Sequence, residues 1–211
     1  MQSPKQYEVE TRFFFNSVEE AFAALPFLES SLTAHSKWQT YHYGLSLYHQ
    51  DQVLRVGELV KNNNPTQFFL GWKGVDTGSF ANIRAEIDEE ITNGITNSAI
   101  LAMLGGKSTH QSKDDVINEL IHLNHSEFMQ FSGENRLGFY EPLQLSLKLM
   151  SCDSLQYPLL VEIEKSTSDY KLVRSLEAEL QAITAKYSLT HRVVHDEPPT
   201  LLYKALFGTN P

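Results

Sequence analysis

The sequence predicts an α+β fold built on an antiparallel sheet or barrel of about eight strands, with helices inserted between them. Three observations carry this. Segments with period-two alternation or aromatic and β-branched enrichment follow one another in hairpin-like succession, as in Tyr7 to Phe15, Gln67 to Gly74 and Leu143 to Leu149. Segments with helix caps and 3.6-type spacing fall irregularly between them, so a regular βαβ order is not expected. Three of the strand-like runs carry paired acids two apart: Glu8 and Glu10, Glu86 and Asp88, Glu162 and Glu164.

In Tyr7-Glu8-Val9-Glu10-Thr11-Arg12-Phe13, alternation places Glu8, Glu10 and Arg12 on one face and Tyr7, Val9, Thr11 and Phe13 on the other. Ser17 with Glu20 is a capping box, and the helix behind it turns Phe22, Leu25 and Leu28 inward, with Pro26 shortening or kinking it. Trp38 to Tyr43, Leu45 to Tyr48 and Gln52 to Val56 read as β-rich, with a turn near His49-Gln50-Asp51. Asn62-Asn63-Asn64-Pro65 is a loop, and Gln67 to Gly74 an aromatic strand ending in Lys73. After a turn at Asp76 to Ser79, Phe80 to Ile91 reads as the longest early strand.

Ser98 to Leu104 and Ser112 to Asn124 read as helices, the second capped by Ser112 with Asp115 and carrying Val116, Leu120 and Leu123 at helical spacing. Phe128 to Phe131, Arg136 to Tyr140 and Leu143 to Leu149 are expected strands, with Gly133 and Pro142 in turns. Leu159 to Lys165 is the last acidic strand. Asp169 to Tyr187 is a helix by the spacing of Leu172, Leu176, Leu180 and Ile183, before a short strand near Thr190 to Val194 and a helix after Pro198-Pro199. With no repeat, linker or low-complexity stretch, residues 1–211 read as one domain.

Hydrophobic residues at 41% and aromatics at 11% suffice for a core and argue against disorder. Seventeen basic against 26 acidic residues, a net −9, speak against nucleic acid or an anionic membrane as partner, while leaving room for a local basic pocket. Cys152 is the only cysteine, so neither a disulfide framework nor a cysteine metal cluster is expected. Met1 to Lys5 lacks an apolar signal core, and no run approaches ~20 apolar residues, so the expected protein is soluble and cytoplasmic. His191 and His195 lie on a strand-like run, roughly 13 Å apart, and His122 and His125 lack an obvious third ligand, so zinc is not expected. Gly105-Gly106-Lys107-Ser108 is not a P-loop, because Leu101 stands where the first glycine belongs.

Acids two apart on a strand sit roughly 7 Å apart and cross-strand neighbours about 5 Å. If Glu8, Glu10, Glu162 and Glu164 share one interior, their repulsion must be offset, and Mg²⁺ or Mn²⁺ does so with oxygen ligands. Arg12, Arg55, Lys73, Arg84 and Arg136 also lie on expected strands, and guanidinium and ammonium groups bind phosphate. Acids for metal and bases for phosphate form the inventory of triphosphate chemistry. The competing reading is a set of exposed cross-strand ion pairs worth little individually.

These motifs, in order, resemble the CYTH superfamily, the triphosphate tunnel enzymes that include class IV adenylate cyclases and several triphosphatases. Glu8-Val9-Glu10-Thr11-Arg12 is similar to the family's E-x-E-x-K, with arginine for lysine; Leu54-Arg55 to its L-R; Lys73-Gly74 to its K-G; Arg84-Ala85-Glu86-Ile87-Asp88 to its R-x-E-x-E. Arg136 stands for the arginine of K-x-R, Glu162-Ile163-Glu164 resembles the late E-I-E strand, and Glu197 to Leu206 echoes the cyclases' E-P-x-S-Y-x-x-L-L tail. The resemblance implies an eight-stranded antiparallel β-barrel whose tunnel binds a triphosphate. It makes Glu8, Glu10, Glu162 and Glu164 the metal candidates, with Glu86 and Asp88 as lesser ones and Asp153 one residue out of register. Arg12, Arg55, Lys73, Arg84 and Arg136 would line the phosphate path.

Two departures stand out. Gly57 replaces a second arginine after L-R, and Glu134 replaces the lysine of K-x-R, with Lys148 or Lys165 as candidate substitutes. The expected function is a metal-dependent enzyme on a nucleoside triphosphate, foremost an adenylate cyclase making cAMP and pyrophosphate. A triphosphatase on an inorganic or organic triphosphate is the alternative within the same site. A non-catalytic nucleotide or polyphosphate binder, or an assembly scaffold, are the alternatives outside it. The partner is a nucleoside or other triphosphate; a homodimer is left open.

Overall fold

The computed structural model describes residues 6–62 and 64–208; the readings of Met1 to Lys5 and of Asn63 lie outside them. Eight strands close into an antiparallel barrel: β1 (Gln6–Phe15), β2 (Leu32–Tyr43), β3 (Val53–Lys61), β4 (Gln67–Lys73), β5 (Asn82–Glu90), β6 (Glu127–Tyr140), β7 (Leu145–Ser151) and β8 (Leu159–Thr167). They run in the order β5-β4-β3-β2-β6-β7-β8-β1, and β1 pairs back onto β5 with Glu8 opposite Arg84. A two-residue strand, β9 (Val193–Val194), adds to the free half of β1 opposite Phe13 and Arg12. The helices are α1 (Val18–Ala24), α2 (Leu28–Ser31), α3 (Leu45–Tyr48), α4 (Ala99–Met103), α5 (Lys113–His122), α6 (Val173–Lys186) and α7 (Pro198–Phe207).

The period-two pattern of the strands is turned so that apolar faces point outward beneath helices and charged faces point into the barrel. Val9, Phe13 and Phe15 of β1, with Leu147 and Leu149 of β7 and Val161 and Ile163 of β8, are buried against Leu25, Leu28, Leu180 and Ile183 of the segments around α1, α2 and α6. Each such side chain, fully buried, contributes roughly 1.5–3 kcal/mol. On the far side Leu54, Val56 and Leu70 pack under Ile100, Leu101, Val116 and Leu120 of α4 and α5. The inside of the barrel thereby holds the charged groups, with aromatic side chains such as Trp38 and Phe131 on part of its wall.

Local chemistry fixes the helix ends. Ser17 and Ser112 accept from the backbone N–H of Glu20 and Asp115, as the capping boxes predict. Glu89, on the outer face of β5, accepts from Ala99 N–H at 2.6 Å and Ser98 Oγ–H at 2.5 Å and so anchors the start of α4. Glu177 of α6 accepts from the N–H groups of Ser79 and Phe80, each at 2.7 Å, pinning the β4–β5 connection. Partial burial opposes its ionisation, but these donors and Arg174 win and hold its carboxyl down at about 2.

Several elements differ from expectation. Leu45–Tyr48 is a helical turn, because Gly44 at φ 71° breaks β2 and Leu47 N–H bonds back to Gly44 O. Gly133 is no turn: β6 runs unbroken for 14 residues, and the glycine lets Trp38 and the Ser151 carbonyl approach where a Cβ would collide. β5 has nine residues against twelve in β2, so it is not the longest early strand. The α6 segment opens with a 3₁₀ turn (Tyr170–Leu172) that leaves Leu172 exposed. Thr190–Arg192 is likewise 3₁₀ rather than strand, and the last helix starts at Pro198 itself. No helix among the described residues is long and apolar enough to cross a membrane.

Candidate active site in the barrel tunnel

Strand register brings the charged faces together. Arg12, Glu162 and Lys148 lie side by side across β1, β8 and β7, and Glu10 and Glu164 form the next row. Arg12 Nε donates to Glu162 at 2.9 Å, its guanidinium also bonds Glu10, and it donates to Asn82 Oδ1 at 2.6 Å. Lys148 bonds the other oxygen of Glu162. On β3 to β5, Arg55 meets Glu86 at 3.0 Å and Asp88 at 3.6 Å. Lys73 bonds Glu8 and lies 3.5 Å from Glu86 and 3.7 Å from Glu10. Arg84 is tied to Asp51 Oδ1 at 2.7 Å and to the Gly74 carbonyl at 2.6 Å.

Eight of the nine residues expected to hold metal or phosphate therefore share one interior: Glu8, Glu10, Arg12, Arg55, Lys73, Arg84, Glu162 and Glu164. Of the lesser candidates, Glu86 joins them, and Asp88 lines the cavity beside Arg55 while remaining exposed. Arg136 does not. It is exposed on β6 while its neighbour Asn135 lines the tunnel, because Phe131, Gly133 and Asn135 occupy the inward face. The same register turns Glu134 outward, where it pairs with His35 and Lys37 at 3.2 Å, so it adds no acid to the tunnel. Lys165 also points out, to Glu179 at 2.8 Å, and Asp153 is exposed in the β7–β8 connection. Lys148 is the substitute cation inside.

Glu197, just before α7, is a tunnel residue that strand patterning does not reveal. It is buried, 3.2 Å from Arg84 Nε and 3.5 Å from Arg12. Burial opposes its charge, but Arg84, Lys73 and Arg12 outweigh this and hold its carboxyl below the usual range. Among the described residues, five cations (Arg12, Arg55, Lys73, Arg84, Lys148) thus face seven carboxylates (Glu8, Glu10, Glu86, Glu162, Glu164, Glu197 and the exposed Asp88), a formal excess of two negative charges. Two of these carboxyls are raised. Burial raises Glu8 to about 7 against the pull of Lys73, and burial with the nearby Glu8 charge raises Glu164 to about 7.

Glu10, Glu162 and Glu164 each offer an oxygen within 4.8 Å of the others. Three clustered carboxylates, an all-oxygen donor set, fit a hard divalent cation better than a softer ion. Beside them opens a cavity of about 380 Å³, whose charged wall includes Glu10, Arg12, Arg55, Lys73 and Lys148.

No protein-family model and no curated protein matches this sequence. Solved structures do match in fold. The PH1819 protein of Pyrococcus horikoshii superposes with TM-score 0.71 at 16% identity, covering 94% of this chain and 99% of that one. A Hippeastrum candidate adenylyl cyclase described as having dominant triphosphatase activity superposes at 0.57, with 17% identity over 95% of this chain and 96% of that one. A chain of the Schizosaccharomyces pombe Mediator head module gives 0.59, with 12% identity over 87% and 96%. These likenesses show a shared fold, a closed eight-stranded antiparallel barrel, which is the architecture that the motif resemblance implies. A barrel found in settings this different leaves function to the site.

Proposed function

We propose that this protein is a metal-dependent enzyme acting on a nucleoside triphosphate inside the barrel. The observation that carries the reading is the interior itself: three carboxylates within 4.8 Å of one another, ringed by Arg12, Lys73 and Lys148. Exposed cross-strand ion pairs would alternate with solvent, whereas Glu10, Arg12, Lys73 and Glu162 are all buried. Glu10, Glu162 and Glu164 would hold Mg²⁺ or Mn²⁺. The bound ion would supply Lewis-acid polarisation of a phosphate and offset the charge gathering on the departing group.

Arg12, Arg55, Lys73 and Lys148 would exchange their present carboxylate partners for phosphate oxygens, keeping charge-assisted bonds throughout. In ATP cyclisation the ribose 3′-oxygen attacks the α-phosphorus, the bond to pyrophosphate breaks, and the hydroxyl proton passes to solvent. The charged groups hold the triphosphate in line for that displacement. Cyclisation is the first reading, because the Glu197 to Leu206 segment resembles the cyclase tail. Hydrolysis, with water attacking the γ-phosphorus, is the second. It is favoured by the Hippeastrum protein of the same fold and its dominant triphosphatase activity.

Purified protein incubated with ATP and Mn²⁺, followed by chromatography of the products, tests the proposal. cAMP with pyrophosphate supports cyclisation; phosphate release supports hydrolysis; either must be lost in Glu10→Ala. Absence of product while ATP raises the melting temperature would sink the enzyme reading in favour of a binder.

A further inference from the structure

The charged half of the cavity is matched by a neutral half that the phosphate reading does not use. On the inward face of β2, His42 is 1% exposed, lines the cavity, and has no partner among the described residues on either ring nitrogen. Two residues along, the Thr40 hydroxyl is also buried and unpartnered. A buried hydroxyl or imidazole left without a hydrogen bond costs roughly 1–3 kcal/mol, so two neighbours aimed into one cavity point to a missing ligand. Burial, with the Arg55 charge nearby, keeps the His42 ring neutral, which leaves it one donor and one acceptor.

The surrounding wall is shaped for a flat group. Phe131 stacks on His42 with ring centroids 5.5 Å apart and planes at 15°, and Trp38 stands edge-on to Phe131 at 5.3 Å. The Trp38 indole N–H donates to Asn135 Oδ1 at 2.9 Å, which orients that amide so that its NH₂ is the end left to donate. Gly57 lies opposite Thr40 on one side and Phe69 on the other, and none of the described residues stands within 4 Å of where its Cβ would be. An arginine there would fill this space with charge. A glycine leaves a slot between the hydroxyl and an aromatic ring.

We infer that this neutral half is a pocket for the nucleobase of the substrate, read by His42, Thr40 and Asn135 and admitted by the absence of a side chain at Gly57. The inference rests on the reading of the charged half as a triphosphate site and adds the residues that would select a nucleoside triphosphate over the inorganic chain. A planar nitrogen heterocycle carries the adjacent donors and acceptors that satisfy a neutral imidazole and a hydroxyl. Its faces suit an aromatic wall. Inorganic triphosphate would leave both side chains unpaired.

Calorimetric titration of the full chain with Mn²⁺, using ATP and inorganic tripolyphosphate as separate probes, tests this. ATP is expected to bind at least about tenfold more tightly, the gain from one or two hydrogen bonds to buried neutral groups. Thr40→Val and His42→Phe, which keep shape, and Gly57→Leu, which fills the slot, should each weaken ATP by about five- to twentyfold and leave tripolyphosphate unchanged. Equal affinity for the two probes, or variants that weaken both alike, would overturn the base pocket and leave the triphosphate site standing. Binding of neither probe would overturn both.

Discussion

Glu197 Oε2 lies 3.2 Å from Nε of Arg84, across the interior from a strand 113 residues earlier in the chain. The pair is buried on both sides, and Arg84 is further held by Asp51 and the Gly74 carbonyl. The chain segment leading into α7 is thus fastened to the barrel by charge as well as by the packing of Leu201, Leu202 and Tyr203.

Removing one member of such a pair strands the other. Glu197→Gln should lower stability by about 3 kcal/mol, since Arg84 and Arg12 each lose an opposing charge where water cannot replace it. Urea unfolding without metal measures this. An unchanged midpoint would show that Asp51 and the backbone carbonyls satisfy Arg84 alone.

Lys148 and Arg136 give opposite expectations. Lys148→Met removes a tunnel cation bonded to Glu162 and should reduce turnover by roughly 10²-fold. Arg136→Ala removes an exposed outer-face charge and should leave turnover unchanged and stability within about 0.5 kcal/mol. Steady-state rates of the two purified variants decide it, and loss of activity in Arg136→Ala would reverse the assignment of faces on β6.

Divalent metal should stabilise the fold. Mn²⁺ at a hundred times its dissociation constant is expected to add about 2.7 kcal/mol. In Glu164→Gln the gain should shrink to a small fraction, because one of the three clustered carboxylates is lost. Denaturant midpoints with and without Mn²⁺ test both statements; an equal gain in the variant would move the ion elsewhere.

His42 sets an acid-side dependence. Burial, with Arg55 nearby, lowers its pKa to about 3, against 6.5 for an unperturbed ring. Between these values the unfolded chain binds a proton that the native state refuses. The ring's contribution therefore rises with pH through that window, by roughly 1.4 kcal/mol per pH unit where one proton differs. His42→Phe should be nearer to wild type, or above it, at about pH 4 than at about pH 7. Parallel urea curves at the two pH values read the difference, and an identical gap at both would exclude the histidine.

How far the sequence reveals all this varies residue by residue. β1 is legible because charge and apolarity alternate without interruption, so its two faces follow from period alone. Lys148 carries the same kind of signal, flanked by the outward Leu147 and Leu149. Arg136 misleads because a shift of one residue exchanges inside and outside, and nothing local fixes the register of β6 against strands far along the chain. Gly133 reads as a turn because glycine has the same letter whether it serves a bend or a close approach to Trp38. Glu197 sits on no strand, and only the closed fold shows where it arrives. His42 looks like an ordinary core residue until its ring nitrogens are found without partners.

The double partnership of β1 has a consequence for how the molecule is made. Its register partners lie on β5, β8 and β9, so Arg12 meets Glu162 only across a sequence separation of 150 positions. The two meanders, β2 to β5 and β6 to β8, can pair locally and early. Closure must wait for β1 to be captured on both edges, and until then each meander presents an open strand edge. Assembly of the charged interior therefore requires the same closure that completes the fold, and a chain short of that closure would expose edges prone to self-association.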